Sequence, residues 1–238
     1  MKIFDSCSLI SIMNLMKIEN PFGGLTYYKE STTNTMVEAK ALLSEPDIHG
    51  SIFVSDFQTA GMGRVPGRIW DSESGKNLTF TLILDKNKIG HDFGMLPLKA
   101  GLALAKTVDD LSGIEAKVKW PNDVVVHGNK ISGVLCQSNS NYVLVGIGLN
   151  INQLEFGSNI TQNTTSLSLL TQNGFSLEMV LSLVLNKLHT ILNSSNWLED
   201  LNSSLYKRGE NVSFLVGNPA NNNLITGELI YICYRRIC

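Results

Sequence analysis

Apolar residues recur along the chain with two periods, one typical of β-strands and one typical of helices. Short runs bounded by turn-forming residues predict strands, and apolar side chains spaced by three and four positions predict amphipathic helices. Strands are predicted at residues 25–28, 51–55, 77–84, 124–126, 130–136, 142–152, 211–216 and 224–230, and helices at residues 36–43, 97–111, 177–192 and 197–206. The chain is therefore expected to combine strands and helices and to end in a β-hairpin.

Two of these strands carry features beyond their apolar pattern. The strand at residues 77–84 alternates apolar and polar side chains, which predicts that only one of its faces is buried. The strand at residues 142–152 contains Gly146 and Gly148. Glycine within a strand often marks the close approach of a ligand or of another backbone.

A polar segment precedes the hairpin predicted at residues 124–136. Pro121 cannot donate a ladder hydrogen bond, so Asn122 and Asp123 are expected at an irregular corner. Lys119 and Asp123 could form a surface ion pair, which would contribute little to stability. The residues alone do not decide between this structural role and a functional one.

Residues 58–70 form a glycine- and arginine-rich segment between two predicted strands. Its glycines let backbone N–H groups approach an anion, and Arg64 and Arg68 add forked, permanently charged donors for phosphate or carboxylate oxygens. The spacing is not that of a G-x-G-x-x-G dinucleotide loop, and the chain contains no G-x-x-x-x-G-K-[ST] phosphate loop. A solvated surface loop and an anion site are both compatible with these residues.

Composition and charge narrow the partners that the protein can have. The 238 residues are 43% hydrophobic and 17% charged, with a net charge of −2. This balance gives no general attraction to nucleic acid or to an anionic membrane, and no apolar run reaches membrane-spanning length. Four scattered cysteines without C-x-x-C pairing favour the cytoplasm and predict no metal site.

Four segments of the chain resemble, in order, motifs of the catalytic domain of biotin protein ligases. They are the glycine–arginine loop at 61–70, K-W-P-N-D at 119–123, K-[ILV]-x-G-[IVL]-L at 130–135 and G-[IVL]-G-[IL]-N-[IVL]-N at 146–152. An altered form of the family's S-T-N-x-E-A-K signature stands at 34–40. The resemblance extends from about Tyr27 to Tyr206, which is most of the chain.

The resemblance implies an α+β fold related to class II synthetases, with a mixed, largely antiparallel central sheet flanked by helices. It divides the chain into an N-terminal extension (1–24), a biotin ligase catalytic domain (25–206) and a C-terminal β module (207–238). The last segment resembles the opening of the family's SH3-like domain and departs from it after Glu228, so an incomplete, truncated domain is expected. The N-terminal extension is too short for the DNA-binding domain that some members carry.

The resemblance also implies the activity. Biotin and ATP, with Mg²⁺, would form biotinyl-5′-AMP, and the biotinyl group would then pass to a lysine of a biotin carboxyl carrier domain of a biotin-dependent carboxylase. A lipoate-protein ligase of the same fold is the alternative enzyme, and a catalytically impaired biotin-binding regulator is the alternative outside catalysis. Both a monomer and a homodimer remain compatible with the sequence.

Residues that match the family's motifs are expected to form the site. Arg64 and Lys130, with the amides of Gly63 and Val65, would hold the biotin carboxylate and the α-phosphate. Lys119 would lie on the nucleotide side. The catalytic set is Arg64, Lys130, Lys119 and Asp123, the last of which would position the acceptor lysine or Mg²⁺.

Further residues are expected to bind the substrates. Thr35 and Asn34 would contact the ureido ring of biotin, with Thr33 as a second hydroxyl in a shifted register. Arg68 and Trp70 would belong to a flap over the intermediate. The remaining binding residues are Gln58, Gly61, Asn122, Gly133, Gly146, Gly148 and Asn150. Gly133, Gly146 and Gly148 would form a pocket floor. The chain departs from the family at Met62, where arginine or another polar residue is usual, at Asn34 and Met36, and at Val65-Pro66, which adds one residue to the loop.

Overall fold

The computed structural model describes residues 14–15, 18–65, 67–90, 92–157, 163–215 and 224–233. The strands are β1 (Asn14–Leu15), β2 (Thr26–Thr32), β3 (Ile52–Gln58), β4 (Asn77–Asp85), β5 (Lys117–Lys119), β6 (Asp123–Val126), β7 (Asn129–Ser138), β8 (Tyr142–Asn150), β9 (Asn211–Leu215) and β10 (Leu224–Glu228). The helices are α1 (Thr35–Ala41), α2 (Lys86–Ile89), α3 (Leu96–Ser112), α4 (Leu167–Thr171), α5 (Leu177–Leu192) and α6 (Trp197–Ser203).

Eight strands form one mixed sheet in the order β1-β2-β3-β4-β8-β7-β6-β5. Strands β2 and β3 run parallel, and the other neighbouring pairs in the described part of the sheet are antiparallel. The predicted mixed, largely antiparallel sheet with flanking helices is therefore confirmed. The predicted C-terminal hairpin is formed by β9 and β10, which pair antiparallel.

The main hydrophobic core lies between one face of the sheet and helices α3 and α5. The apolar stripe of α3 is buried as its spacing predicts, with Leu102 and Val108 fully enclosed. Pro97 stands in the first turn of α3, and Gly113 ends the helix in the left-handed conformation (φ 69°). The hydroxyl of Ser176 caps α5 by accepting from the N–H of Met179.

Helix α1 covers part of the opposite face of the sheet and forms a second, smaller core there. Successive side chains of a strand point to opposite faces. The odd-numbered apolar residues of β8 belong to the main core, so Gly146, Gly148 and Asn150 lie on the α1 face. Helix α1 reaches Gly146 through Met36 and leaves Gly148 and Asn150 uncovered, and the candidate site lies above these positions.

Two expectations about the sheet are wrong. Residues 77–84 of β4 are buried on both faces, because the main core covers one face and Thr79 and Thr81 are enclosed on the other. Asp123 is not at an irregular corner, because it begins β6 and pairs with Lys119 of β5.

Some elements gave no signal in the sequence. Strands β1 and β5 and helices α2 and α4 are too short to show a period, and tertiary contacts determine them. Pro66, most of the N-terminal extension, residues 216–223 and the last five residues lie outside the described residues. The domain boundaries stay predictions.

Candidate active site

Two adjoining cavities open on the α1 face of the sheet. The first is lined by eleven of the predicted site residues: Asn34, Thr35, Gln58, Gly63, Arg64, Trp70, Asn122, Lys130, Gly133, Gly146 and Gly148. The second is lined by ten of them: Gly63, Arg64, Val65, Arg68, Trp70, Lys119, Asn122, Asp123, Lys130 and Asn150. The motifs, distant in sequence, therefore meet around two connected spaces.

The register of three strands forms the floor of the first cavity. Gly146 in β8 stands between Thr81 of β4 and Leu135 of β7. Gly148, two residues further along the same face, stands beside Gly133 of β7. The absence of side chains at these glycines creates a shallow trough in the sheet.

Two side chains of the protein itself lie in this trough. A Cβ added at Gly148 would meet Cε2 of Trp70 at 2.4 Å, and a Cβ added at Gly146 would meet Cε of Met36 at 2.8 Å. Both distances are shorter than real Cβ contacts, so a side chain at Gly148 would displace the rigid indole, and one at Gly146 would require the end of the Met36 side chain to move. The glycines line the first cavity, with an indole and a thioether lying over two of them.

Hydrogen-bonding groups cluster at the α1 end of the first cavity. The hydroxyl oxygens of Thr35 and Thr81 lie 3.0 Å apart. The amide oxygen of Gln58 accepts from the N–H of Thr35 at 2.8 Å. The side-chain oxygen of Asn34 caps α1 by accepting from the N–H of Met36 at 2.8 Å, and its amide donates to the carbonyl of Ala60 at 3.2 Å. This end of the cavity therefore presents hydroxyl and amide groups to a ligand.

The glycine–arginine segment is a narrow hairpin that separates the two cavities. The N–H of Trp70 donates to the carbonyl of Gly61 at 3.0 Å, and the N–H of Gly63 donates to the carbonyl of Arg68 at 2.8 Å. Met62 and Ile69 form an antiparallel bridge between these bonds. A Cβ at Gly61 would stand 2.5 Å from the carbonyl oxygen of Trp70, so glycine is required where the hairpin closes.

Arg64 and Arg68 project from this hairpin with exposed side chains. Neither guanidinium makes a hydrogen bond or an ion pair with any residue in the described part of the chain. A guanidinium is always charged and presents forked donors to carboxylate and phosphate oxygens. These two groups are therefore available to an anionic ligand.

Lys130 is the cationic side chain nearest the floor. Its Nζ lies 2.7 Å from Oδ1 of Asp123, and both side chains are mostly buried. At this distance the two charged groups form an ion pair. The same Nζ stands 5.9 Å from the centroid of the Trp70 ring. The ion pair of Asp123 is thus formed with Lys130, not with Lys119.

Asn122 fixes the turn between β5 and β6 against the neighbouring strand. Its side-chain amide donates to the carbonyl of Val134 at 2.9 Å, and its own carbonyl accepts from the N–H of Val134 at 2.8 Å. These paired bonds hold the K-W-P-N-D turn at the wall shared by the two cavities.

The second cavity carries an excess of positive charge although the chain is slightly acidic. Arg64, Arg68, Lys119 and Lys130 face two carboxylates, Asp71 and Asp123, a formal excess of two positive charges. Positive charge focused in a cleft raises the local concentration of anions. This cavity is electrostatically suited to phosphate groups.

Asn150 supplies an unpartnered acceptor in the second cavity. Its amide donates to the carbonyl of Thr165 at 3.0 Å, whereas its Oδ1 is buried and has no partner among the described residues. A buried acceptor without a donor costs free energy, about 1–3 kcal/mol. A ligand with an N–H or O–H group would remove that cost.

Some predicted residues do not line either cavity. Thr33 is exposed, because α1 begins at Thr35 and directs the hydroxyl of that residue inward instead. Gly61 contacts Trp70 and not the cavities. Residues outside the predicted binding and catalytic set also line them: Met36, Met62 and Thr81 in the first, and Asp71, Trp120 and Phe156 in the second.

A metal ion would find few protein ligands here. Among the described residues no cluster of three or more histidine, cysteine, aspartate or glutamate side chains has metal-binding geometry. Asp71 and Asp123 are the carboxylates that line the second cavity. Mg²⁺ is commonly bound by one or two carboxylates together with substrate phosphates and water, so this donor set fits it. In the part of the chain that the structure describes, no helix has the length and apolarity needed to span a bilayer.

Comparison with known proteins identifies what this arrangement is similar to. Residues 26–152 match the Biotin/lipoate A/B protein ligase family. The biotin–[acetyl-CoA-carboxylase] ligase of Mycobacterium tuberculosis is 34% identical over 126 residues, covering 51% of this chain and 47% of that protein. The bifunctional ligase/repressor BirA of Bacillus subtilis is 32% identical over 148 residues, covering 59% and 45%. The chain spans about half the length of these curated relatives.

A solved structure covers more of the chain. The biotin protein ligase from Aquifex aeolicus in complex with biotin and ATP superposes with a TM-score of 0.77 at 29% identity, covering 89% of each chain. The structural similarity therefore extends over most of the chain.

Proposed function

The chain belongs to the Biotin/lipoate A/B protein ligase family, and from this premise we propose that it ligates biotin to a lysine of a biotin carboxyl carrier domain. One observation carries the proposal. A cavity with hydroxyl and amide groups at its inner end joins a cationic cavity through a shared wall that contains Arg64, Trp70 and Lys130. A polar ring suits the inner end of the first cavity, a carboxylate suits the shared wall, and a nucleoside triphosphate suits the cationic cavity.

In the first step a carboxylate oxygen of biotin attacks the α-phosphorus of ATP. A new P–O bond forms, the bond to the β-phosphate oxygen breaks, and pyrophosphate leaves. Negative charge develops on the phosphoryl oxygens, so oriented donors supply most of the stabilisation. Arg64 and Lys130, which reach both cavities, would hold the reacting oxygens together.

In the second step the acceptor amine attacks the acyl carbon of biotinyl-5′-AMP. The C–N bond forms, the bond to the phosphate oxygen breaks, AMP leaves and the amine loses a proton. Asp123 is the carboxylate at this junction, where its Oδ1 lies 2.7 Å from Nζ of Lys130. It would orient the amine of the acceptor lysine.

Mg²⁺ bound to ATP would neutralise charge on the triphosphate. Asp71 and Asp123 are the side chains that would hold it, directly or through water. The protein's own contribution at this step is the set of arginine and lysine side chains around the same cavity.

The inner end of the first cavity favours biotin over lipoate. The ureido group of biotin donates two N–H bonds and accepts at its carbonyl, which complements the hydroxyls of Thr35 and Thr81 and the amide of Gln58. The dithiolane ring of lipoate offers no such groups and would leave the remaining hydrogen-bonding capacity of these side chains unused. A site that hydrogen-bonds a polar group of one ligand disfavours an analogue that lacks that group.

The first step can be tested without an acceptor protein. Purified protein with ATP and Mg²⁺ is expected to release pyrophosphate when biotin is added and not when lipoate is added. A matched reaction with biotin methyl ester, which lacks the attacking carboxylate, is the control. Pyrophosphate release with lipoate but not with biotin would contradict the proposal and would indicate a lipoate-protein ligase.

A further inference from the structure

The C-terminal hairpin touches the K-W-P-N-D turn through one aromatic contact. The ring centroids of Trp120, in the turn between β5 and β6, and Phe214, in β9, lie 5.1 Å apart with planes tilted by 58°. Tilted aromatic pairs at this separation are attractive beyond the area that they bury. The contact joins two segments that are more than ninety residues apart in sequence.

Trp120 and Phe214 differ in their relation to the second cavity. Trp120 lines that cavity together with Lys119 and Asn122, its neighbours in the turn. Phe214 does not line either of the two cavities and contacts the turn from a separate groove behind it. Phe214 shares that groove with Lys119 and Trp120, and Trp120 is the ring that it contacts, so Phe214 can affect a ligand of the second cavity through these neighbours.

The hairpin that carries Phe214 is anchored to the main body near its base. Arg208 donates to the carbonyls of Asn202 and Ile230, at 3.2 and 3.1 Å. The side chain of Asn202 exchanges two hydrogen bonds with the backbone of Ile232, at 2.7 and 3.0 Å. These bonds fix the base of the hairpin, so β9 presents Phe214 to Trp120 from a supported position.

We propose that Phe214 is a positioning residue for the nucleotide. By holding the indole of Trp120, it keeps the turn at residues 120–122 in the geometry that places Lys119 and Asn122 on the second cavity. The inference rests on the proposed function in taking ATP as the ligand of that cavity. Trp120 does not line the first cavity, and Asn122, which lines both cavities, is held by its own hydrogen bonds to Val134, so KM for biotin is expected to change less than KM for ATP.

Steady-state kinetics of Phe214→Ala test the proposal. Loss of an aromatic pair is expected to raise KM for ATP about two- to ten-fold, while KM for biotin stays within two-fold of wild type. Phe214→Tyr keeps the ring and is expected to restore the KM for ATP. An unchanged KM for ATP in Phe214→Ala, or an equal rise in both KM values, would overturn the proposal.

Thr226→Val is the matched control on the same hairpin. The hydroxyls of Thr226 and Ser213 lie 2.7 Å apart, and neighbouring positions of a strand face opposite sides, so this pair lies on the side away from Phe214. The variant removes a contact within the hairpin and leaves the aromatic pair intact. Its KM for ATP is expected to match wild type. A rise equal to that of Phe214→Ala would show that any disturbance of the hairpin weakens ATP binding, and would contradict a specific role for the Trp120–Phe214 contact.

A double-mutant cycle with Trp120→Ala separates this proposal from the assignment of the reaction. Calorimetry gives Kd for ATP in the two single variants and in the double variant, even if no biotinyl-5′-AMP is formed. If Phe214 acts through Trp120, the double variant binds ATP as weakly as Trp120→Ala alone. Additive losses would contradict the proposal, whereas absence of biotin activation in wild type would contradict the proposed function only.

Discussion

Lys130 and Asp123 face each other with Nζ 2.7 Å from Oδ1, beside the wall that the two cavities share. Lys187 and Asp110 form an ion pair of the same length on the helical surface, where both side chains are more exposed. Surface pairs of that kind contribute little to stability. The buried pair differs because its cation also faces the space assigned to the biotin carboxylate and the α-phosphate.

Lys130→Ala is expected to slow biotinyl-5′-AMP formation by roughly one to three orders of magnitude, the loss associated with one oriented donor. Single-turnover measurement of pyrophosphate release gives this rate. Lys187→Ala, which breaks the surface ion pair of equal length, is the matched control and is expected to keep the wild-type rate. Wild-type kinetics in Lys130→Ala would remove that residue from the reaction.

Alanine substitutions at the two floor glycines are expected to have unequal effects. A Cβ at Gly148 meets the Trp70 ring at 2.4 Å, whereas a Cβ at Gly146 meets the terminal methyl of the flexible Met36 at 2.8 Å. The rigid indole must leave its place, but the thioether can rotate away. Titration calorimetry is expected to show a larger loss of biotin affinity in Gly148→Ala than in Gly146→Ala. The opposite order would contradict this account of the floor.

Asn150 is expected to make the nucleotide site prefer ATP to GTP. Its buried Oδ1 has no donor among the described residues, and the 6-amino group of adenine can donate where the 6-carbonyl of guanine cannot. Competition binding with ATP and GTP measures the preference, and Asn150→Leu is expected to reduce it by removing the acceptor. Equal affinities for the two nucleotides in wild type would show that Oδ1 does not contact the base.

His49 is expected to make the folded protein less stable below neutral pH. Burial, reinforced by the nearby charge of Lys88, lowers the pKa of His49 from its ordinary value of 6.5, and its Nδ1 accepts from the N–H of Asp85 at 3.1 Å. A lowered pKa means that the unfolded chain binds the proton more tightly. The stabilising contribution is therefore complete above pH 6.5 and is lost as the pH falls through the folded-state pKa.

Urea unfolding at several pH values between neutral and acidic measures this effect. His49→Gln retains a hydrogen-bond acceptor but does not titrate, so its free energy of unfolding is expected to fall less over the same interval. Identical pH dependence in the variant and the wild type would assign the acid sensitivity to other groups.

The regular parts of the fold were predictable from the sequence because their signals are local. Helix α5 occupies residues 177–192 as its apolar spacing predicts, since the period and the Ser176 cap agree. Strand β8 was recognisable from a long apolar run, although it ends at Asn150 and not at Asn152. The buried polar residues of β4 were misread because alternation indicates one polar face but not whether that face is covered.

The site was predictable where motif spacing determines it and not where strand register does. Lys130, Gly133 and Gly148 line the first cavity and were predictable because each belongs to a contiguous motif. Thr81 carries no local signal, and only its pairing with Gly146 brings it into the first cavity. The role of Thr33 stays a prediction, and its side chain is exposed and lines neither cavity, because a run of hydroxyl residues leaves the start of the helix undetermined from the sequence.

Transfer of biotin to an acceptor protein tests the proposed ligation itself. The purified protein is incubated with ATP, Mg²⁺, an unmodified biotin carboxyl carrier domain, and either biotin or lipoate, and the mass of the carrier is followed by mass spectrometry. In the biotin reaction, one biotinyl group is expected on a single lysine of the carrier. In the lipoate reaction, the carrier is expected to be unchanged. Lipoylation of the carrier, with no modification in the biotin reaction, would contradict the proposed ligation.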